Sequence, residues 1–227
     1  MNTREYCIQA EQKESLHKQL YPDFPIKEDN SPLISLKESG FNLRFERSII
    51  KDYQYSVREA VFEKIGRISK CLDQQDKRLI IRSAWRSFEH QRLSWKKKVV
   101  FMKKNHPEKS LEEIKKIVSY YIAPETASMH ATGGAVDALI YDLKNGIVLD
   151  FGTNNGLKMD LNERCYPFHP DISTEAKKNR KLLIELFENE DFCVDVIEYW
   201  HFNYGNASWA IEKGKDSAIY GMIKDHT

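Results

Sequence analysis

The sequence predicts an α+β fold, with a central antiparallel sheet flanked by helices. Three observations lead there. Segments with apolar residues every three or four positions are interspersed with short segments that alternate every second position. Two of the alternating segments are joined by Lys144-Asn145-Gly146, a turn too short for anything but an antiparallel hairpin. Only ten glycines and seven prolines occur in 227 residues, so no long linker divides the chain.

Each element has its own reason. Residues 1–50 are expected to wrap the core, with turns at Tyr21-Pro22-Asp23-Phe24-Pro25 and Asp29-Asn30-Ser31-Pro32 and a short strand at Asn42–Glu46. Residues 51–227 are expected to form the one functional domain. Val57, Val61, Ile65, Ile68 and Leu72 recur at helical spacing, which predicts a helix over 57–72. Arg78–Ala84 reads as a buried strand. A charged insertion over about 88–122 reads as two helices broken near His106-Pro107, the second starting at a capping box of Ser110 and Glu113. Gly134–Tyr141 alternates as a strand and Ile147–Leu149 returns from the turn. Thr153–His169 reads as loop, Ser173–Glu188 as a helix, Phe192–Phe202 as mostly strand, and Ala207–Lys213 as a short closing helix.

Composition excludes several classes. Thirty-five basic and 34 acidic residues give a net charge of +1, so no nucleic-acid or membrane partner is expected. No stretch approaches the length of a membrane span. Met1–Leu20 is polar and lacks the apolar core of a signal peptide, and Cys7, Cys71, Cys165 and Cys193 form no CxxC pair. A cytoplasmic protein with ordinary thiols is expected. The oligomeric state is left open.

Two clusters carry chemistry. One runs from Ser128 through His130 and Gly133-Gly134 to Asp137; the other is Glu198-Tyr199-Trp200-His201. Catalytic zinc takes three nitrogen or oxygen ligands and keeps one position open. His130 and Asp137, folded towards each other at the paired glycines, with His201 from a distant strand, would supply such a set. Glu198 would then be the group that handles protons. In a regular strand, Glu198 and His201 would face opposite ways, so a bulge or strand end is required. Arg86, where the 78–84 strand emerges, could aim its fork at an oxyanion. Each feature alone reads more readily as structural, a buried polar residue or a surface ion pair. The residues by themselves reach a zinc hydrolase and no further.

The pattern Ser128-x-His130-x-x-Gly133-x-Ala135-x-Asp137, then Glu198-x-Trp200-His201, resembles the zinc D,D-peptidases. These include VanX-type D-alanyl-D-alanine dipeptidases and VanY-type D,D-carboxypeptidases, and share the fold of the hedgehog signalling domain. Ser83-Ala84-Trp85-Arg86 resembles their strand-plus-arginine segment, and the likeness runs from about Arg78 to Ala210. The resemblance implies one Zn2+ held by His130, Asp137 and His201. It implies Glu198 as general base, Arg86 as oxyanion partner, and Ser128 and Trp200 at the substrate. The substrate implied is a small D-amino-acid peptide such as D-Ala-D-Ala, or alternatively a longer peptidoglycan peptide. A zinc-stabilised binding module without activity is the reading from another class. Three departures bear on specificity. Tyr199 stands for a Trp, and Ser87 for a Pro common in dipeptidases. Asn154-Asn155-Gly156 stands where dipeptidases carry the Phe-Asp whose acid grips the substrate ammonium; Asp160 is the next acid and the candidate replacement.

Overall fold

The computed structural model describes residues 2–48, 50–119, 128–153 and 163–223. Among them the main sheet has six strands. Its path runs β2 (Leu43–Phe45), β4 (Lys77–Ser83), β5 (Ala135–Asp142), β8 (His201–Asn203), β7 (Cys193–Val194), and β6 (Ile147–Val148) hangs from β5. The expected antiparallel sheet is present, with one parallel pair at its edge, β2 on β4. A smaller sheet pairs β1 (Leu33–Ser35) with β3 (Ser56–Arg58).

The 57–72 stripe is a helix two residues shorter at its start. It is α2, Glu59–Asp73, because Val57 belongs to β3 and is fully buried there. Val61, Ile65, Ile68 and Leu72 join Leu183, Ile184 and Phe187 of α5 (Thr174–Glu188) and the buried residues of β4 and β5 in one core. The insertion is two helices as expected, α3 (Phe88–Asn105) and α4 (Leu111–Ser119). Ser110 and Glu113 make both bonds of the capping box, at 2.8 and 3.2 Å. These helices build a small core of their own from Met102, Ile114 and Val118.

Two expectations are corrected. The first 50 residues open with an unexpected helix, α1 (Thr3–Leu20), which buries only Cys7, Ala10 and His17 and so shows no apolar stripe. Phe192–Phe202 is not mostly strand. Between β7 and β8 the chain leaves the sheet at Asp195 and turns through Tyr199-Trp200. The closing helix α6 spans Ala207–Glu212. The 153–169 loop lies largely outside the described residues, which resume at a 3-10 turn, Glu163–Cys165.

The strand register positions the site. Asp137 on β5 stands opposite Ser83 of β4 on one side and His201 of β8 on the other. Cross-strand partners share a face, so the aspartate and the histidine meet without any help from a loop. His130 sits in a 3-10 turn, Met129–Thr132, that ends in Gly133 at φ +73°, the left-handed conformation glycine adopts freely. A Cβ on Gly134 would lie 2.3 Å from the Tyr204 carbonyl oxygen, so only glycine lets β5 approach the chain beyond β8 there.

Candidate metal centre

One ligand atom each from His130, Asp137 and His201 falls within a group 4.8 Å across, and all three residues are buried. His130 donates from Nδ1 to the Ala84 carbonyl at 2.9 Å, which leaves the Nε2 lone pair facing Asp137 Oδ2 at 3.3 Å. His201 Nδ1 lies 2.9 Å from Asp137 Oδ1, while its Nε2 is engaged by Asn203 Oδ1 at 3.2 Å. Each imidazole thus has one nitrogen held by the protein and the other directed at the carboxylate. Metal-binding histidines are oriented in this way. Two imidazole nitrogens and a carboxylate suit a zinc-type ion with an open position, so the donor set fits the group.

The charges are set by the surroundings. Burial lowers the His130 pKa to about 4, with the Arg86 guanidinium adding to the effect, so its ring is neutral. Burial acts to raise Asp137, but His130 and His201 outweigh it and hold the carboxyl well below its usual range. Burial would also lower His201, yet the hydrogen bond it donates to Asp137 wins and pushes it up to about 9. Glu198 Oε2 is 4.0 Å from His201 Nδ1, and burial, reinforced by Asp195, pushes its pKa up to about 8.

The problem of Glu198 and His201 on opposite faces is solved by the turn. His201 is the first residue of β8 and Glu198 precedes the strand, with the His201 amide donating to the Glu198 carbonyl at 3.2 Å. Asp195 builds this corner. Its Oδ1 accepts from the Ile197 amide at 2.9 Å and the Glu198 amide at 3.1 Å.

Arg86 reaches the same place. It donates to Ser83 Oγ at 2.8 Å, Gln91 Oε1 at 3.4 Å and Asp137 Oδ2 at 3.2 Å. Ser87 caps α3 by accepting from the His90 amide at 3.2 Å. Its departure from proline therefore serves a helix start. Ser128 is buried and directly precedes the 3-10 turn that carries His130. Trp200 is 4 % exposed and lies in the main core, edge-on to Tyr199 at 4.8 Å. Tyr199 is stacked on Phe151 at 5.4 Å, so it anchors the turn from below. Asp160, with Asn154-Asn155-Gly156, lies outside the described residues.

Asp195, Asn203 and Asn206 were not singled out from the sequence. Local signals existed. Asp195 precedes Ile197 and Glu198 at the spacing of an Asx turn, and Asn206 stands directly before a helix as a cap.

A family model described as D-Ala-D-Ala dipeptidase matches residues 44–216. The D-alanyl-D-alanine dipeptidase of Escherichia coli is 29% identical over 89 residues, 39% of this chain and 44% of that protein. The enzyme of the same name from Enterococcus faecium is 27% identical over 93 residues, 41% of this chain and 44% of that one. The matched regions thus span less than half the length of these relatives. A solved vancomycin-resistance D,D-pentapeptidase, VanY with Zn(II), superposes with a TM-score of 0.48 at 15% identity, covering 84% of this chain and 90% of that one. With its family match extending over most of its length, the chain belongs to the D-Ala-D-Ala dipeptidase family of peptidases.

Proposed function

We propose that this chain is a zinc-dependent peptidase that hydrolyses D-Ala-D-Ala or a related D-amino-acid dipeptide. The observation that carries the reading is the convergence of His130, Asp137 and His201 with Glu198 and Arg86 beside them. His130 through Nε2, Asp137 through its carboxylate and His201 through Nδ1 would hold the ion. When bound, zinc supplies Lewis acidity towards a carbonyl oxygen and a water.

The chain's own residues do the rest. Glu198 takes a proton from the attacking water and hands it to the nitrogen of the leaving amine. Its burial keeps the carboxyl near neutrality, where it can both accept and release that proton. Arg86 lies next to Asp137 and pairs with the negative charge that develops on the scissile carbonyl oxygen. Ser128, beside the His130 turn, would help hold the substrate backbone, and Trp200 would form the apolar floor. A small soluble peptide in the cytoplasm is the substrate that fits four cysteines kept as thiols and a near-neutral chain with no charge excess for a polymer.

A second reading is a D,D-carboxypeptidase acting on longer peptidoglycan peptides. Asn154-Asn155 in place of an acid favours it, since a neutral amide cannot give an ammonium the same charge-assisted bond. Convergence of Glu198 and Arg86 on the ligands argues against a non-catalytic module, which needs neither.

Release of free D-alanine by the zinc-loaded chain tests the proposal, with Glu198→Ala as control. D-Ala-D-Ala and an amino-blocked peptide ending in D-Ala-D-Ala are offered in parallel. Turnover of the dipeptide, lost in E198A with zinc still bound, is the expected result. Turnover of the blocked peptide alone selects the second reading, and turnover of neither by the zinc-loaded native chain overturns both.

A further inference from the structure

His201 is tied to the closing helix by a run of hydrogen bonds whose directions follow from one fixed end. That end is backbone. The Trp209 amide donates to Asn206 Oδ1 at 3.0 Å, which makes Asn206 the N-cap of α6. A backbone amide only donates, so the other terminal atom of Asn206 is its amino group. That group donates to Asn203 Oδ1 at 2.8 Å. Asn203 therefore presents its oxygen here, and the same oxygen lies 3.2 Å from His201 Nε2. An amide oxygen only accepts, so Nε2 carries a proton. Nδ1, 2.9 Å from Asp137 Oδ1, is then the nitrogen left to bind a metal.

Two further observations support this order. Asn203 and Asn206 are both 0 % exposed, so no solvent exchange relaxes it. Asn203 Nδ2 is buried without a hydrogen-bond partner among the described residues. Turning that amide over would set its amino group against the amino group of Asn206. The orphaned donor is the consequence of keeping oxygen on the histidine.

We propose that Asn206 is a positioning residue of the metal centre: it orients Asn203, and Asn203 fixes His201 with Nδ1 as the ligand atom. The inference rests on reading His130, Asp137 and His201 as zinc ligands. A cap that served the helix alone would need only its oxygen, so the two roles are separable by mutation.

Asn206→Asp keeps the capping oxygen and replaces the donor by a second acceptor. Asn203 then turns its amino group towards the carboxylate introduced at position 206 and towards His201, whose Nε2 must accept, and the proton moves to Nδ1. Asn206→Ser keeps the cap on a side chain too short to reach Asn203. Zinc affinity of the full chain is measured by competition with a chromogenic chelator, alongside helix content and melting of each metal-free variant. Two-bond proton–nitrogen NMR of the His201 ring reads which nitrogen is protonated in the zinc-loaded native chain. The expected result is metal at Nδ1 with a proton on Nε2. N206D should bind zinc about ten- to a hundredfold more weakly, and N206S several-fold more weakly, each with native helix content. Native zinc affinity in either folded variant, or metal on Nε2 of the native His201, overturns the proposal. Absence of zinc binding by the native chain overturns the ligand reading itself, and is told apart because no variant is involved.

Discussion

Asp195 Oδ1 accepts two amides in succession, those of Ile197 and Glu198, and through them holds the carboxylate proposed to move protons. Asp195→Ala leaves both donors without that partner, which costs about 1–3 kcal/mol of stability and loosens the Glu198 corner. Turnover is expected to fall at least about tenfold while zinc affinity changes less, because His201 is held independently by Asn203 and by strand pairing. Asp195→Asn retains the accepting oxygen and should recover most of the loss. Steady-state kinetics and chelator competition on the two variants decide it; an Asn variant as impaired as the Ala one would assign the role to the charge instead. At this scale, the candidate ligands His130, Asp137 and His201, which the fold brings together, were picked out by the motifs in which they stand. Asp195 was not, because it acts through backbone amides, and nothing in its side-chain type distinguishes it from any surface aspartate.

Helix α1 shows what pattern reading loses. Its buried positions are Cys7, Ala10 and His17, and charged or polar residues fill most of the rest, so no stripe announces it; its signal was the capping box of Asn2 and Glu5. It is fastened by polar contacts, Thr3 to Asp171, Lys13 to Glu212 and Tyr166 to Glu11. His17 is 4 % exposed, and burial lowers its pKa from 6.5. The unfolded chain therefore binds the proton more readily. The contribution of His17 is intact above about pH 6.5 and is lost as the pH falls below it. Thermal melts of the native chain and His17→Gln at pH 7.5 and about 5.5 should show a smaller acid loss in the variant; equal losses would place the sensitivity elsewhere. The β5 strand, by contrast, was legible to within one residue at each end, although its first six residues are buried on both faces rather than on one. Its glycine entrance carries a second prediction. Gly134→Ala puts a methyl against the Tyr204 carbonyl oxygen, where neighbouring backbone must move, since the Tyr204 amide itself donates to the Gly134 carbonyl at 2.8 Å. A loss of about 1–3 kcal/mol in urea unfolding is expected, and a neutral result would mean that the strands separate freely at that point.

Across the whole molecule, His201 reaches Asp137 from 64 residues away, and the register of β5 against β8 is what joins them. Such a register depends on which strands pair, which no local pattern states; the sequence offered the residues as a set, and the fold shows that their strands are neighbours. The same register decides what the metal does for stability. The strands carrying the candidate ligands Asp137 and His201 also carry Val136, Ala138, Ile140 and Phe202, all fully buried in the main core. Apolar burial is therefore expected to hold the sheet, with a bound ion adding to it. Chelation should leave the far-UV circular dichroism spectrum unchanged. Restoring zinc to a hundredfold excess over its Kd should add about 2.7 kcal/mol, which for a chain of this size raises the melting temperature by about 5–10 °C. Collapse of the spectrum on chelation would instead make the ion structural, and the ligands would then be holding the sheet together rather than being presented by it.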